Sequence, residues 1–189
     1  MSDSHGPDDG LLLARHGETD DNLEPIRAQG FRDTPLNDTG RRQAAELAAR
    51  AAELGIASLW SSDLARARET AEIVGGQLGL RPRLDPRLRE ADRGEWEGRL
   101  FLEIERDDPG HYAAWRRAGE GFRFPGGESL REQSDRVAEA LSSIRSSGEL
   151  PALVVCHGGS IRATLCRSHQ RGLDAFHEFV VPNVAVVRV

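Results

Sequence analysis

Two histidines sit in the same local setting. His16 lies in Arg15-His16-Gly17-Glu18-Thr19, and His157 in Cys156-His157-Gly158-Gly159-Ser160. Each ends a short apolar run, and each precedes a glycine, a residue that lets backbone and ligand come close. A third apolar run ends in Ser61-Ser62-Asp63 and leads to Arg66, and the segment after Leu84 leads to Arg89-Glu90. Neutral imidazole can attack phosphorus, and imidazolium can stabilise charge. Arginine is a permanent planar fork suited to phosphate oxygens. A carboxylic acid can protonate a departing oxygen. This set suits phosphoryl transfer, which needs donors around the equatorial oxygens and an in-line nucleophile and leaving group. Ser160 is expected to open a helix whose N-terminal N–H groups favour an anion.

Four separate segments must then be carried to one place. Leu11–Ala14, Ala57–Trp60 and Ala152–Cys156 read as short strands, Arg83-Leu84 as a shorter one, and Val184–Val189 as the last. Between them the apolar residues keep helical spacing. Ala44, Leu47, Ala48 and Ala51 follow the caps at Asn37 to Thr39, and Leu64, Ala67, Ala71, Val74 and Leu78 follow Asp63. Leu130, Val137, Leu141 and Ile144 follow a Ser129-x-x-Glu132 capping box, and a further helix runs from Ser160 to Arg171. Alternating strands and helices predict an α/β fold with a mostly parallel sheet. In such a sheet ligands bind outside the carboxyl ends of the strands, where these loops fall. Residues 91–128, rich in glycine and holding Trp96 and Trp115, read as an irregular excursion over the sheet with short helices. Trp96 is expected to pack beneath it.

Composition narrows the class. The 189 residues are 38% apolar and 30% charged, as in a globular chain, with 25 Lys+Arg against 31 Asp+Glu, a net charge of −6. That balance argues against a nucleic-acid partner and leaves room for a local basic pocket holding a small anion. No apolar run approaches the ~18 residues of a membrane span. Cys156 and Cys166 cannot make a disulfide framework, and the acidic start MSDSHGPDDG is unlike a secretion signal, so a cytoplasmic setting is expected. Residues 1–9 read as a disordered tail and 10–189 as a single domain. No metal-ligand or nucleotide-binding motif appears, so neither metal nor cofactor is called for.

In order along the chain stand RHGET (15–19), QGFRDTPLNDTGRRQA (29–44), SSDLARARETAE (61–72), LREADRGEWEG (88–98), PGGES (125–129) and VVCHGGSIRA (154–163). Together they resemble the histidine phosphatase superfamily, in its phosphoglycerate mutase-like branch, over nearly the whole chain after residue 10. The resemblance implies a three-layer α/β/α sandwich. It also implies that His16 becomes phosphorylated and that Arg15, Arg66 and His157 surround the transferring group. Glu90 would protonate the leaving oxygen and then activate water. Asn22 matches a phosphate-touching asparagine, and Gln29, Gly30 and the Gly158 backbone match substrate and phosphate contacts. The implied activity is metal-independent hydrolysis of a small phosphorylated metabolite. Phosphoglycerate mutases similar to this family typically carry asparagine where Gly159 stands and tend to be longer. Mutase activity is the alternative, and a catalytically inactive phosphate-binding scaffold a remote one. A different nucleophile is also written in the sequence, since Cys156 to Arg162 has the C-x5-R spacing of cysteine-dependent phosphatases. Arg116, Arg117 and Arg123 are expected to be solvated or ion-paired, with contact to an anionic substrate tail as the other reading. Substrate identity and oligomeric state are not legible.

Overall fold

A computed structural model, describing residues 10–117 and 119–189, gives five strands. They are β1 (Leu11–Arg15), β2 (Ser58–Ser61), β3 (Arg83–Leu84), β4 (Ala152–Cys156) and β5 (Val186–Arg188), in the spatial order β3-β2-β4-β1-β5. The tail expected at residues 1–9 lies outside the described residues. β4 is the central strand, parallel to β1 on one side and β2 on the other, so the chain leaves the sheet at His16, Ser62 and His157 along one edge. Only β5 runs antiparallel.

Successive strand residues point to opposite faces. Leu11 and Leu13 of β1 and Ala152, Val154 and Cys156 of β4 pack with Val137, Leu141 and Ile144 of α5 (Leu130–Ser146) and with Ile161 of α6 (Gly158–Cys166). Leu12, Ala14, Leu153 and Val155 pack on the other face. Their partners are Leu47, Ala48 and Ala51 of α1 (Asp38–Ala52) and Ala67, Ala71 and Val74 of α2 (Ala65–Leu78). Burial of each large aliphatic side chain contributes about 1.5–3 kcal/mol. The result is the expected α/β/α sandwich, with six α-helices among the described residues. β1 feeds a helix on one face and its neighbour β4 feeds one on the other. That divergence opens a crevice at the carboxyl ends of the two strands.

Several boundaries move. α1 begins at its expected cap, with Asn37 Oδ1 accepting the Gly40 N–H at 2.8 Å, and α5 forms the Ser129–Glu132 capping box. α2 starts at Ala65 instead of Asp63, because the Asp63 carboxylate is held by Arg89 at 2.5 and 2.7 Å. α6 runs from Gly158 to Cys166, earlier than the expected Ser160 to Arg171. His157 takes the extended cap conformation, φ −125° and ψ 160°, and the helix dipole therefore opens on Gly158, Gly159 and Ser160. The last strand is shorter than Val184–Val189. Val184 sits at φ 51°, unusual for a β-branched residue, and its N–H turns to the Arg15 carbonyl at 3.1 Å.

Residues 91–128 hold α3 (Phe101–Asp107), α4 (Pro109–Arg117) and a 3-10 helix at Gly94–Trp96. They build their own apolar cluster, in which buried Trp96 meets Trp115 and Phe124 edge-on at 6.1 and 5.5 Å. No helix among the described residues is long and apolar enough to cross a membrane.

Candidate active site

The register of β1 on β4 sets Arg15 opposite Cys156, so the next residues, His16 and His157, emerge side by side. The His16 N–H donates to the Cys156 carbonyl at 3.0 Å, and the two imidazoles lie 5.2 Å apart between ring centres, inclined at 59°. His16 Nδ1 is 2.6 Å from the Gly17 carbonyl oxygen. A carbonyl only accepts, so Nδ1 carries the proton of the neutral ring and Nε2 carries the lone pair. Burial, then the charges of Arg66 and Arg15, hold His16 well below the usual histidine range. Burial, Arg66 and His16 do the same to His157. Both rings are therefore neutral near pH 7. His157 Nε2 pairs with Ser62 Oγ at 2.9 Å, while its Nδ1 is buried without a hydrogen-bond partner. Asn183, unmarked in the sequence, donates from Nδ2 to the His16 carbonyl at 3.0 Å.

Gly17 has a different reason than the one expected. A Cβ there would lie 2.4 Å from the Gly40 carbonyl oxygen, so glycine lets the loop pack on the start of α1, away from any ligand.

Arg66 is fully buried, and two of its nitrogens donate to the carbonyls of Arg32 and Gly30 at 2.8 Å each. Its sequence neighbours are engaged elsewhere: Asp63 binds Arg89, and Glu69 binds Arg41. Burial, opposed by Glu90 and other acids, lowers its pKa to about 10. Its Nε and that of Arg15 are buried and unpartnered. Arg15 Nη1 donates to the Val181 carbonyl at 2.7 Å. Buried donors left open are rare and mark places where a ligand completes the hydrogen bonding. Gly30 does not face the cavity. Its carbonyl positions Arg66, and its N–H is one of four backbone N–H groups, with Phe31, Arg32 and Arg93, that converge on the Glu97 carboxylate at 2.7–3.1 Å. Asn22 and Gln29 do line the cavity, linked to each other at 3.4 Å and to Thr19.

Glu90 is buried. Its Oε1 accepts from Gln133 Nε2 at 2.6 Å and the Ala91 N–H at 3.0 Å, and its Oε2 accepts from the Gly159 N–H at 2.8 Å. Burial pushes the carboxyl up. The charge of Arg93 and the three donors outweigh that and leave it below the usual range. Arg89, next to it in sequence, is turned to Asp63. Arg136 ties down the Arg87, Arg89 and Glu90 carbonyls at 2.7–2.8 Å and grips Glu128 with two hydrogen bonds. A Cβ on Gly159 would stand 2.0 Å from Glu90 Oε1. Gly159→Ala is therefore expected to displace the carboxylate and lower kcat on an alkyl phosphate by about 10²-fold, the scale of an ångström's misplacement. Unchanged kcat in a variant of unchanged thermal midpoint would show that the close approach has no catalytic consequence.

The crevice is a cavity of about 240 Å³. Arg15, His16, Asn22, Gln29, Glu90, Gly158 and Gly159 line its inner part, with Ile26, Arg27, Arg93, Phe101, Trp115, Arg162 and Phe176 completing it. His157 and Arg66 are not among the lining residues, although the His157 ring centre is 5.2 Å from that of His16. Cys156 belongs to the core under α5, and burial pushes its thiol up to about 12, which removes the thiolate reading of C-x5-R. Arg123 is paired with Glu132 at 2.5 Å, Arg117 is exposed, and Arg116 lines an adjoining hollow.

Comparison with known proteins agrees with this geometry. The sequence pattern of the "Histidine phosphatase superfamily (branch 1)" matches residues 11–189. A Salmonella paratyphi B protein named "Probable phosphoglycerate mutase GpmB" is 43% identical over 154 residues, covering 78% of this chain and 69% of its own. Bacillus stearothermophilus YhfR superposes with a TM-score of 0.86 at 34% identity, over 93% of this chain and 88% of that one. A mycobacterial glucosyl-3-phosphoglycerate phosphatase does so with a TM-score of 0.83 at 31% identity, over 93% and 87%. In sequence and in fold, the chain belongs to branch 1 of the histidine phosphatase superfamily.

Proposed function

We propose that this chain is a metal-independent phosphatase that hydrolyses a small phosphate monoester through a phosphohistidine on His16. The observation that carries the reading is the tautomer. Gly17 fixes the proton on Nδ1, and the Nε2 lone pair belongs to a ring that stands 5.2 Å from His157 and lines a cavity with Arg15, whose Nε is buried and open. His16 Nε2 attacks phosphorus as the P–O bond to the alcohol breaks, and the Glu90 carboxyl gives its proton to the departing oxygen. The hydrogen bond from Nδ1 to Gly17 steadies the positive charge that the ring gains. Arg15, Arg66, His157, Asn22 and the Gly158 N–H hold the equatorial oxygens, and Gln29 braces Asn22. In the second step Glu90, now a carboxylate, takes a proton from water. The water oxygen attacks phosphorus, the P–N bond breaks, and neutral His16 returns with inorganic phosphate.

The name borne by the Salmonella relative favours a second reading, phosphoglycerate mutase. Gly159 counts against it, since the side chain typical of mutases at this position would strike Glu90. One assay separates the two. Phosphate release from a panel of phosphorylated metabolites, ranked by kcat/KM, supports hydrolysis, and isomerisation of phosphoglycerate without phosphate release overturns it. The same panel tests metal independence. The arginines already supply the cationic charge, and among the described residues no three His, Cys, Asp or Glu side chains gather as ligands. Activity is expected to survive chelator and dialysis, whereas loss restored by a divalent ion would contradict this.

A further inference from the structure

α5 buries Leu130, Val137, Leu141 and Ile144, and among them stands Gln133, wholly buried. Positions 130, 133 and 137 keep helical spacing, so an apolar side chain is the residue this face asks for. The amide found there is only partly satisfied. Its Nε2 donates to Glu90 Oε1 at 2.6 Å and reaches Ser160 Oγ at 3.4 Å. Its own Oε1 is buried without a hydrogen-bond partner among the described residues. A buried acceptor left open is costly. Departures of this kind from a helix's own pattern gather at functional sites.

The direction of the amide is fixed by what it meets. Ser160 gives its hydroxyl hydrogen to the Arg89 carbonyl at 3.0 Å, so towards Gln133 it can only accept. Glu90, held below the usual carboxyl range, is ionised and also only accepts. The donors on Glu90 are then unequally shared. Oε1 takes two, the Gln133 amide and the Ala91 N–H, which fill both its lone pairs. Oε2 takes one, the Gly159 N–H, and keeps a lone pair. Gly159 and Glu90 line the cavity together. Charged groups face this carboxylate from every side: Arg93 of its own segment, Arg15 of β1, Arg66 of α2 and Arg162 of α6. Arg136 of α5 binds the Glu90 carbonyl, and Cys156 of β4 is un-ionised. The cations favour the ionised carboxyl, and the uncharged N–H donors decide which oxygen stays open.

We propose, resting on the phosphatase reading, that Gln133 is a positioning residue for Glu90. It closes Oε1 to protons, so that Oε2 gives the proton to the leaving oxygen and takes one from the attacking water. Without its N–H, a proton on Glu90 divides between a productive and an unproductive oxygen. The carboxyl also becomes harder to ionise, because a donor to its charged form is lost.

The test is kinetic, on Gln133→Met and Gln133→Glu. Methionine keeps the length and bulk of the side chain without the donor. In Gln133→Met, kcat on an alkyl phosphate is expected to fall about 10-fold, the worth of one charge-assisted hydrogen bond. Single-turnover release of an activated aryl alcohol, which needs no proton, should be little changed. Turnover of the aryl ester needs Glu90 ionised for the second step. The acid limb of its kcat should therefore move to higher pH by about one unit. In Gln133→Glu the introduced carboxyl, while protonated, donates to Oε1 in place of the amide. Activity should then approach that of the unaltered protein at acid pH. As pH rises that proton is lost, two carboxylates face each other, and a new alkaline limb should appear. Packing alone would give neither movement. Equal losses on both esters, with the pH limbs unmoved, would make Gln133 a packing residue and overturn the proposal while the phosphatase reading stands. Gln133→Met decides this even if Gln133→Glu does not fold. If the unaltered protein releases phosphate from neither ester, both fall.

Discussion

His16→Ala is expected to lower phosphate release by at least about 10³-fold, the scale of a lost covalent route together with lost in-line orientation. Alanine removes the nucleophile that the geometry prepares, with its lone pair on Nε2. His157 is not prepared in the same way, because its Nε2 is engaged by Ser62 and no carbonyl fixes a proton on its Nδ1. Nor is Cys156, with its sulfur in the core and its thiol pushed up to about 12. Cys156→Ser should accordingly keep most of the activity. Acid quench of the unaltered protein during turnover should lose the phosphoryl group from protein, and alkaline quench should preserve it, as for a phosphoramidate. Label on Cys156, or full activity of His16→Ala, would remove the phosphohistidine.

What the sequence made legible was the part encoded by short-range pattern. Apolar runs of four or five residues fixed β1 and β4, and their last residues delivered both histidines to the same edge. Arg66 was visible because it stands in the first turn of a helix that follows a strand. The capping box at Ser129 fixed the start of α5. Element ends were less legible, since tertiary partners decided them: Arg89 takes Asp63 away from the start of α2, and Val184 bonds back to Arg15 before β5 begins.

The residues that position the site were hidden for a related reason. Gln133 reaches Glu90 across 43 positions, and Asn183 reaches the His16 carbonyl across 167. No local spacing announces such contacts. The oxygens of Glu97 are spent on backbone N–H groups that hold Gly30, and through Gly30 the buried Arg66. Gly17 was readable as a glycine that something required, but the requirement was the Gly40 backbone. Arg93 and Arg162 stand within quoted motifs and look like surface arginines there. Only the fold shows aromatic rings against them and buried Nε atoms without a hydrogen-bond partner among the described residues.

Glu90→Gln is expected to cost about 10²–10⁴-fold in kcat on an alkyl phosphate, the usual worth of a positioned general acid. The loss should be far smaller on an activated aryl phosphate, whose alcohol departs without a proton. The pH profile gives an independent reading. Burial raises the Glu90 carboxyl, but Arg93 and the N–H donors bring it below the ordinary range, so the free protein holds a carboxylate at neutral pH. The proton that leaves with the alcohol must then enter with the substrate. A phosphate monoester loses its second proton near about pH 6, so above that value kcat/KM for an alkyl ester should fall about tenfold per pH unit. Once the monoanion is bound, its negative charge beside the carboxylate favours moving the proton onto Glu90, as like charges raise a carboxyl pKa. Glutamine cannot accept that proton, and the slope should flatten in the variant. Equal losses on alkyl and aryl esters, with an unaltered slope, would take Glu90 out of the acid role and leave it as a brace for Gly159 and Gln133.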